Sequence, residues 1–273
     1  MKLAVVGGSA TLIATACTLL VPTDGLTGAT GFVADAGDAS PVLDASSDVA
    51  TAPDGGLPCP VRETDLLAYY RFDEGHGTIA ADCSGNGRDG LVTNPTWAAG
   101  KRGGALVFDG TATCVAVGSS TTLTSAGPFT AAAFVSVAVY ADDVSGKAHY
   151  LISKANEVPD KNAWRFASDA TTRFSFKVGG AANAVEVMTP DGQPTQRWVH
   201  VAAVFDPGKR MEVWLDGVLL GSLPAPAAVT DDPTAAVRVG CLKGTSNFFS
   251  GAVDELKLYG RALSQDEIIK LAR

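Results

Sequence analysis

The sequence predicts an all-β fold, a two-sheet antiparallel jelly-roll sandwich with a short C-terminal helix. Short apolar and β-branched runs follow one another closely from residue 66 onward, separated by Gly, Asp, Asn and Pro, as in a sandwich. No helical period appears before residue 264, and nothing repeats at the fixed interval of a propeller or solenoid. In the stretch Phe249 to Leu263, Asp254, Leu256 and Leu258 alternate with Glu255, Lys257 and Tyr259, the period-two mark of a half-buried strand. That alternation sets Asp254 on the leucine face, where a carboxylate needs hydrogen bonds, an ion pair or a metal.

In chain order the expected strands are 66–74, 105–109, 114–117, 129–140, 150–154, 163–168, 173–178 and 184–188, then 198–205, 211–215, 218–223, 237–241 and 252–259. Asp216-Gly217 between two apolar runs is a strong hairpin signal, and Asp206-Pro-Gly-Lys marks the turn before it. Ser264 with Glu267 three residues later forms a capping box that starts an amphipathic helix over 265–271.

Several segments occur together in the order found in one family. They are Leu67-Ala-Tyr-Tyr-Arg-Phe-Asp-Glu-Gly, Asp82-Cys-Ser-Gly-Asn-Gly-Arg-Asp-Gly-Leu, Ala105-Leu-Val-Phe-Asp-Gly, Trp198-Val-His-Val-Ala-Ala-Val-Phe-Asp, Val213-Trp-Leu-Asp-Gly and Gly251-Ala-Val-Asp-Glu-Leu-Lys-Leu-Tyr-Gly-Arg-Ala-Leu-Ser. Over residues 66 to 273 the chain resembles the laminin-G-like jelly rolls, a branch of the concanavalin A-like sandwiches common in bacterial surface proteins. The resemblance implies a fold and leaves the activity open.

The first 58 residues differ in kind. Lys2 precedes an apolar run from Leu3 to Ala16, which reads as a secretory signal over 1–16 and is too short to span a bilayer. Cys17 directly after Ala14-Thr-Ala resembles a bacterial lipobox, so we expect a lipidated Cys17 and a membrane-attached anchor; ordinary cleavage near Ala16 is the alternative. Residues 18–58 carry no Lys, Arg, His, Glu, Trp or Tyr, and their charge is Asp24, Asp35, Asp38, Asp44, Asp48 and Asp54. Such a segment buries too little apolar surface to offset chain entropy, so 17–58 is expected to be an acidic disordered linker and 59–273 the jelly-roll domain. The expected location is outside the cytoplasm, as an outer-membrane lipoprotein or at the cell surface.

Cysteine usage fits export. Apart from Cys17 there are four, Cys59, Cys83, Cys114 and Cys241, which suggests two disulfides. Of the three connectivities we expect Cys83 with Cys114 and Cys59 with Cys241.

For chemistry, the Gly-rich loop from Asp82 to Gly90 turns backbone carbonyls inward and adds the oxygens of Asp82 and Asn86. Hard oxygen ligands suit calcium, and Asp254 would join them if the first and last strands are neighbours. The family resemblance implies calcium as a structural cofactor; a hydrogen-bonded turn without metal is the competing reading. Glycoside hydrolases of the wider group need two carboxylates across a scissile bond, and no Glu-x-Asp-x-x-Glu pattern is present. Binding is then the expected function, non-catalytic recognition of a carbohydrate or an extracytoplasmic protein. A glycan-cleaving enzyme and a purely structural envelope protein are the alternatives. Trp97 and Trp164 are the expected ligand-contacting rings. A net charge of −8 without a basic stripe argues against nucleic acid.

Overall fold

The computed structural model describes Cys59 and residues 63–273, apart from 119–122, 124–125, 141–147, 156–161, 181–182, 230 and 233. The expected signal over 1–16, Cys17 and the linker over 17–58 lie outside the described residues. The domain opens with β1 (Leu66–Tyr70), β2 (Ile79–Ala80), β3 (Gly90–Thr93), β4 (Thr96–Ala99), β5 (Gly104–Asp109) and β6 (Cys114–Val117). Next come β7 (Phe129–Val137), β8 (His149–Ala155), β9 (Asn162–Ser168), β10 (Phe174–Val178) and β11 (Val185–Met188). It ends with β12 (Val199–Asp206), β13 (Arg210–Leu215), β14 (Val218–Leu223), β15 (Val237–Val239), β16 (Ser250–Tyr259) and the helix α1 (Gln265–Leu271).

These strands make two antiparallel sheets. The first runs β14-β13-β12-β7-β16-β5-β4, and the second β11-β10-β9-β8-β15-β6-β3-β2. One side of β16 is shared: β5 pairs with Ser250 to Val253, while β1 pairs with Leu256 to Tyr259. The other side of β16 pairs with β7, so β16 lies within the first sheet.

Local chemistry explains the breaks. Phe72 adopts a left-handed backbone (φ 56°), which ends β1 earlier than the expected strand to residue 74. At the β13–β14 hairpin both Asp216 and Gly217 have positive φ (48° and 78°), the conformation that Asp-Gly favours between two strands. Strands β2, β3 and β4 were not expected, because Gly90 and the Asn94-Pro95 turn interrupt any apolar period there.

Alternation fills the core between the sheets. Val201, Ala203 and Phe205 of β12 point inward, as do Phe174, Phe176 and Val178 of β10. A second apolar cluster lies on the outer side of the first sheet, where Ala202, Val204, Trp214 and Tyr259 pack with Leu263 and Ile268. This is why β12 is apolar at every position from Val201 to Phe205: one face meets the core and the other lies under α1. Ser264 caps α1 as expected, its hydroxyl accepting from the Glu267 N–H while the Glu267 carboxylate accepts from the Ser264 N–H.

Three expectations are corrected. Asp254 is not on the leucine face, because a bulge with Glu255 at φ 52° inserts a residue between Asp254 and Lys257. Val253, Leu256 and Leu258 therefore face the core, and Asp254 lies opposite Phe134 of β7 on the outer side. A one-residue shift reverses every facing beyond it. Trp164 is a core residue, 4% exposed and 4.9 Å from the Phe129 ring, so it is no ligand platform. The disulfides join Cys59 to Cys83 and Cys114 to Cys241. Cys83 returns beside β1, its N–H donating to the Tyr69 carbonyl at 2.8 Å, near the start of the domain. Cys114 meets Cys241 because β6 and β15 are neighbours, with Val115 opposite Val239.

Candidate functional site

On the outer side of the first sheet a groove of about 440 Å³ opens between β13, β14 and the start of α1. Its lining follows from alternation: with Met211 and Val213 of β13 in the core, Arg210, Glu212 and Trp214 face out. Asp206 at the end of β12 and Leu219 of β14 form two walls, and Ser264, Gln265 and Glu267 of α1 another.

Every carboxylate lining it is matched by a cation. Glu212 is 3.1 Å from Arg210 Nε and accepts the Trp214 indole N–H at 3.0 Å. Arg210 also donates to the Leu263 carbonyl at 3.0 Å, which ties β13 to the segment leading into α1. Arg261 grips Glu267 with two nitrogens at 2.9 and 2.7 Å, and this pair together with the cap holds the Glu267 carboxyl down to about 2. Asp206 pairs with Lys209 at 3.4 Å. The groove thus presents acceptors and donors beside the apolar Leu219, and it can hydrogen-bond a polyhydroxylated ligand.

A second polar group surrounds the bulge in β16. Asp254 is fully buried, accepts the Arg102 N–H at 2.7 Å through Oδ2, and leaves Oδ1 without a hydrogen bond. Burial, reinforced by the nearby Glu255 and Asp73 carboxylates, pushes its carboxyl up to about 7. Glu255 accepts from the Tyr69 hydroxyl at 2.7 Å and lies 3.4 Å from Arg102. Close by, buried His200 meets the Phe134 ring edge to face at 5.2 Å, and burial lowers its pKa to about 4, so it is neutral at ordinary pH.

The expected metal ligands are not gathered into one site. Asp82 Oδ1 accepts from the N–H groups of Tyr69 (3.0 Å) and Ser84 (2.9 Å), and Oδ2 from the Ser84 hydroxyl (2.8 Å) and the Arg88 N–H (2.9 Å). Hydrogens stand where a cation would have to sit. Asn86 turns its amide nitrogen to the Leu66 and Leu67 carbonyls at 2.8 and 3.2 Å, and Asp254 is engaged at Arg102 on the turn between β4 and β5. Asp82, Asn86 and Asp254 do not converge on one point, and no group of three or more His, Cys, Asp or Glu is arranged to hold a metal among the described residues. Trp97 is half-buried on the edge strand β4, its indole N–H donating to the Gly77 carbonyl at 3.2 Å. Sequence reasoning missed the groove. Its one legible sign is the polar alternation Arg210, Glu212, Trp214 within an apolar strand.

Comparison with known proteins places the fold. The laminin G family of the concanavalin A-like lectin/glucanases superfamily matches residues 109–269, more than half of the chain. The chain belongs to that superfamily. No curated protein matches the sequence. Among solved structures, this concanavalin A-like domain is similar to domain 4 of AbnA, an extracellular arabinanase of Geobacillus stearothermophilus, solved with arabinotriose. The two share 20% identity over 77% of this chain and 98% of that one, with a TM-score of 0.61. The binding domain of Paraclostridial Mosquitocidal Protein 1 is similar at 14% identity and a TM-score of 0.61, over 76% of this chain and 52% of that chain. The receptor binding domain of botulinum neurotoxin type G follows at 13% identity and 0.59, over 77% and 51%. The chain therefore spans about half the length of the two toxin domains, and these likenesses show the fold. Two disulfides fit a superfamily member exported to an oxidising compartment.

Proposed function

We propose that this domain is a non-catalytic recognition module that binds a carbohydrate outside the cytoplasm, in the groove between β13, β14 and α1. The observation that carries this is the pairing of the groove's carboxylates. A glycosidase needs one carboxyl held protonated as the acid, whereas Glu212, Asp206 and Glu267 each sit beside a cation. Asp254, whose carboxyl is raised, is fully buried and out of a substrate's reach. Paired acceptors and donors suit sugar hydroxyls, and Leu219 offers an apolar contact for a sugar's C–H face. The AbnA domain solved with arabinotriose supports a carbohydrate over a protein ligand. Signal cleavage after residue 16, a lipid on Cys17 and a tether over 17–58 would hold the module at the outer membrane or cell surface.

The test is a broad glycan array probed with the full chain and with Leu219→Arg, each with calcium and with a chelator. Leu219 is well exposed, so the arginine blocks the groove without disturbing the core. Reproducible glycan binding by the wild type, reduced by roughly tenfold or more in the variant at unchanged Tm, is the expected result. A chelator is expected to leave binding intact, because donors already fill the oxygens of Asp82. Absence of binding in every condition would move the reading to a protein partner or a structural role.

A further inference from the structure

We infer that Lys154 and Asp231 form a modification site, joined in the folded chain by an isopeptide bond between the lysine Nζ and the aspartate Cγ. Lys154 sits on β8, opposite Trp164 of β9 and Val237 of β15. Both of these belong to the core, and residues opposite one another on paired strands share a face, so the lysine stem enters the sandwich. None of its side chain is exposed. Nζ lies 2.6 Å from Asp231 Oδ1, and the Asp231 side chain is 21% exposed.

Asp231 belongs to the segment that joins β14 to β15, and packing holds that segment. Ala225 and Val229 are part of the core, Ala235 is buried, and Asp232 Oδ1 accepts from the Thr234 N–H at 2.9 Å and from its hydroxyl at 2.7 Å. Two groups 77 residues apart are thus kept in contact by elements that are each anchored, and holding reacting atoms together in this way supplies much of what a bimolecular condensation lacks. The step balances within the pair. Nζ forms a bond to Cγ, the bond from Cγ to one carboxyl oxygen breaks, and that oxygen leaves as water with the two protons that the ammonium gives up. Nothing is oxidised or reduced. A neutral amide replaces two charges, which removes the cost of keeping an ammonium inside an apolar core, and the water departs on the partly exposed Asp231 side. The bond staples β8 to the segment that carries the chain from the first sheet to the second. It involves no residue of the groove described above, so the two assignments stand or fall separately.

The experiment is mass spectrometry of the full chain, purified folded, then reduced, denatured and digested with trypsin. The expected result is one pair of peptides joined between Lys154 and Asp231, with a mass equal to the sum of the two less one water. Trypsin does not cut after an acylated lysine, so cleavage at Lys154 is lost as well. In Lys154→Met, which keeps the apolar stem, and in Asp231→Ala the joined pair is expected to vanish. Separate peptides in the wild type, with cleavage at Lys154, would overturn the inference, and that outcome depends on no variant folding. So would a lost water that maps to a succinimide at an Asp-Gly step such as Asp89-Gly90 or Asp109-Gly110, because that change leaves the peptides carrying Lys154 and Asp231 apart.

Discussion

Replacing Cys114 and Cys241 together with serine is expected to destabilise the domain by about 5 kcal/mol, the entropy released to an unfolded chain when so long a loop is opened. The bridge closes 127 residues, against 24 for Cys59–Cys83, and the same reasoning gives about 3.5 kcal/mol for the shorter one. Denaturant unfolding of the oxidised protein and of each double variant measures both. The order matters more than either value. If the Cys59/Cys83 variant were the less stable of the two, loop closure would not be what Cys114–Cys241 contributes, and local packing near Tyr69 would be the governing effect.

Asp254→Asn is expected to stabilise the protein above neutral pH and to flatten its response to pH. Burial and two acidic neighbours raise the Asp254 carboxyl from 3.8 in an open chain to about 7 in the fold. Between those values the native state holds a proton that the unfolded state has released, so stability falls as pH rises through this window. Above it the fold bears the full cost of a buried carboxylate, about 4 kcal/mol. Asparagine keeps the shape and the acceptor for the Arg102 N–H without the charge. Unfolding at pH 4, 6 and 8 should show a gain that grows with pH and is small at pH 4. Parallel curves with the variant lower throughout would mean that Asp254 is ionised and stabilising.

Much of the architecture could be read from residues alone, since the apolar run of β12, alternation on β13 and β16, the Asp216-Gly217 hairpin and the Ser264/Glu267 box are local signals. What could not be read depends on register and on neighbours distant in sequence. The bulge at Glu255 leaves the alternation of letters intact while turning Asp254 outward. Cysteine pairing follows from β6 lying beside β15, which no property of Cys114 or Cys241 announces. Trp164 and Trp97 look alike in sequence, yet one projects into the sandwich and the other caps an edge strand. The groove is equally a product of assembly: Arg210 and Gln265 are 55 residues apart and line it together only once the fold is complete.

The position of β16 also governs when the molecule can form. Its residues follow those of every other described strand, yet β5, β7 and β1 all pair with it, so the first sheet stays incomplete until residues 250–259 have emerged. Long-range pairing of this kind makes folding wait for the whole chain. A chain still lacking residues 250–259 therefore holds the first sheet only as two pieces, β14 to β7 and β5 with β4.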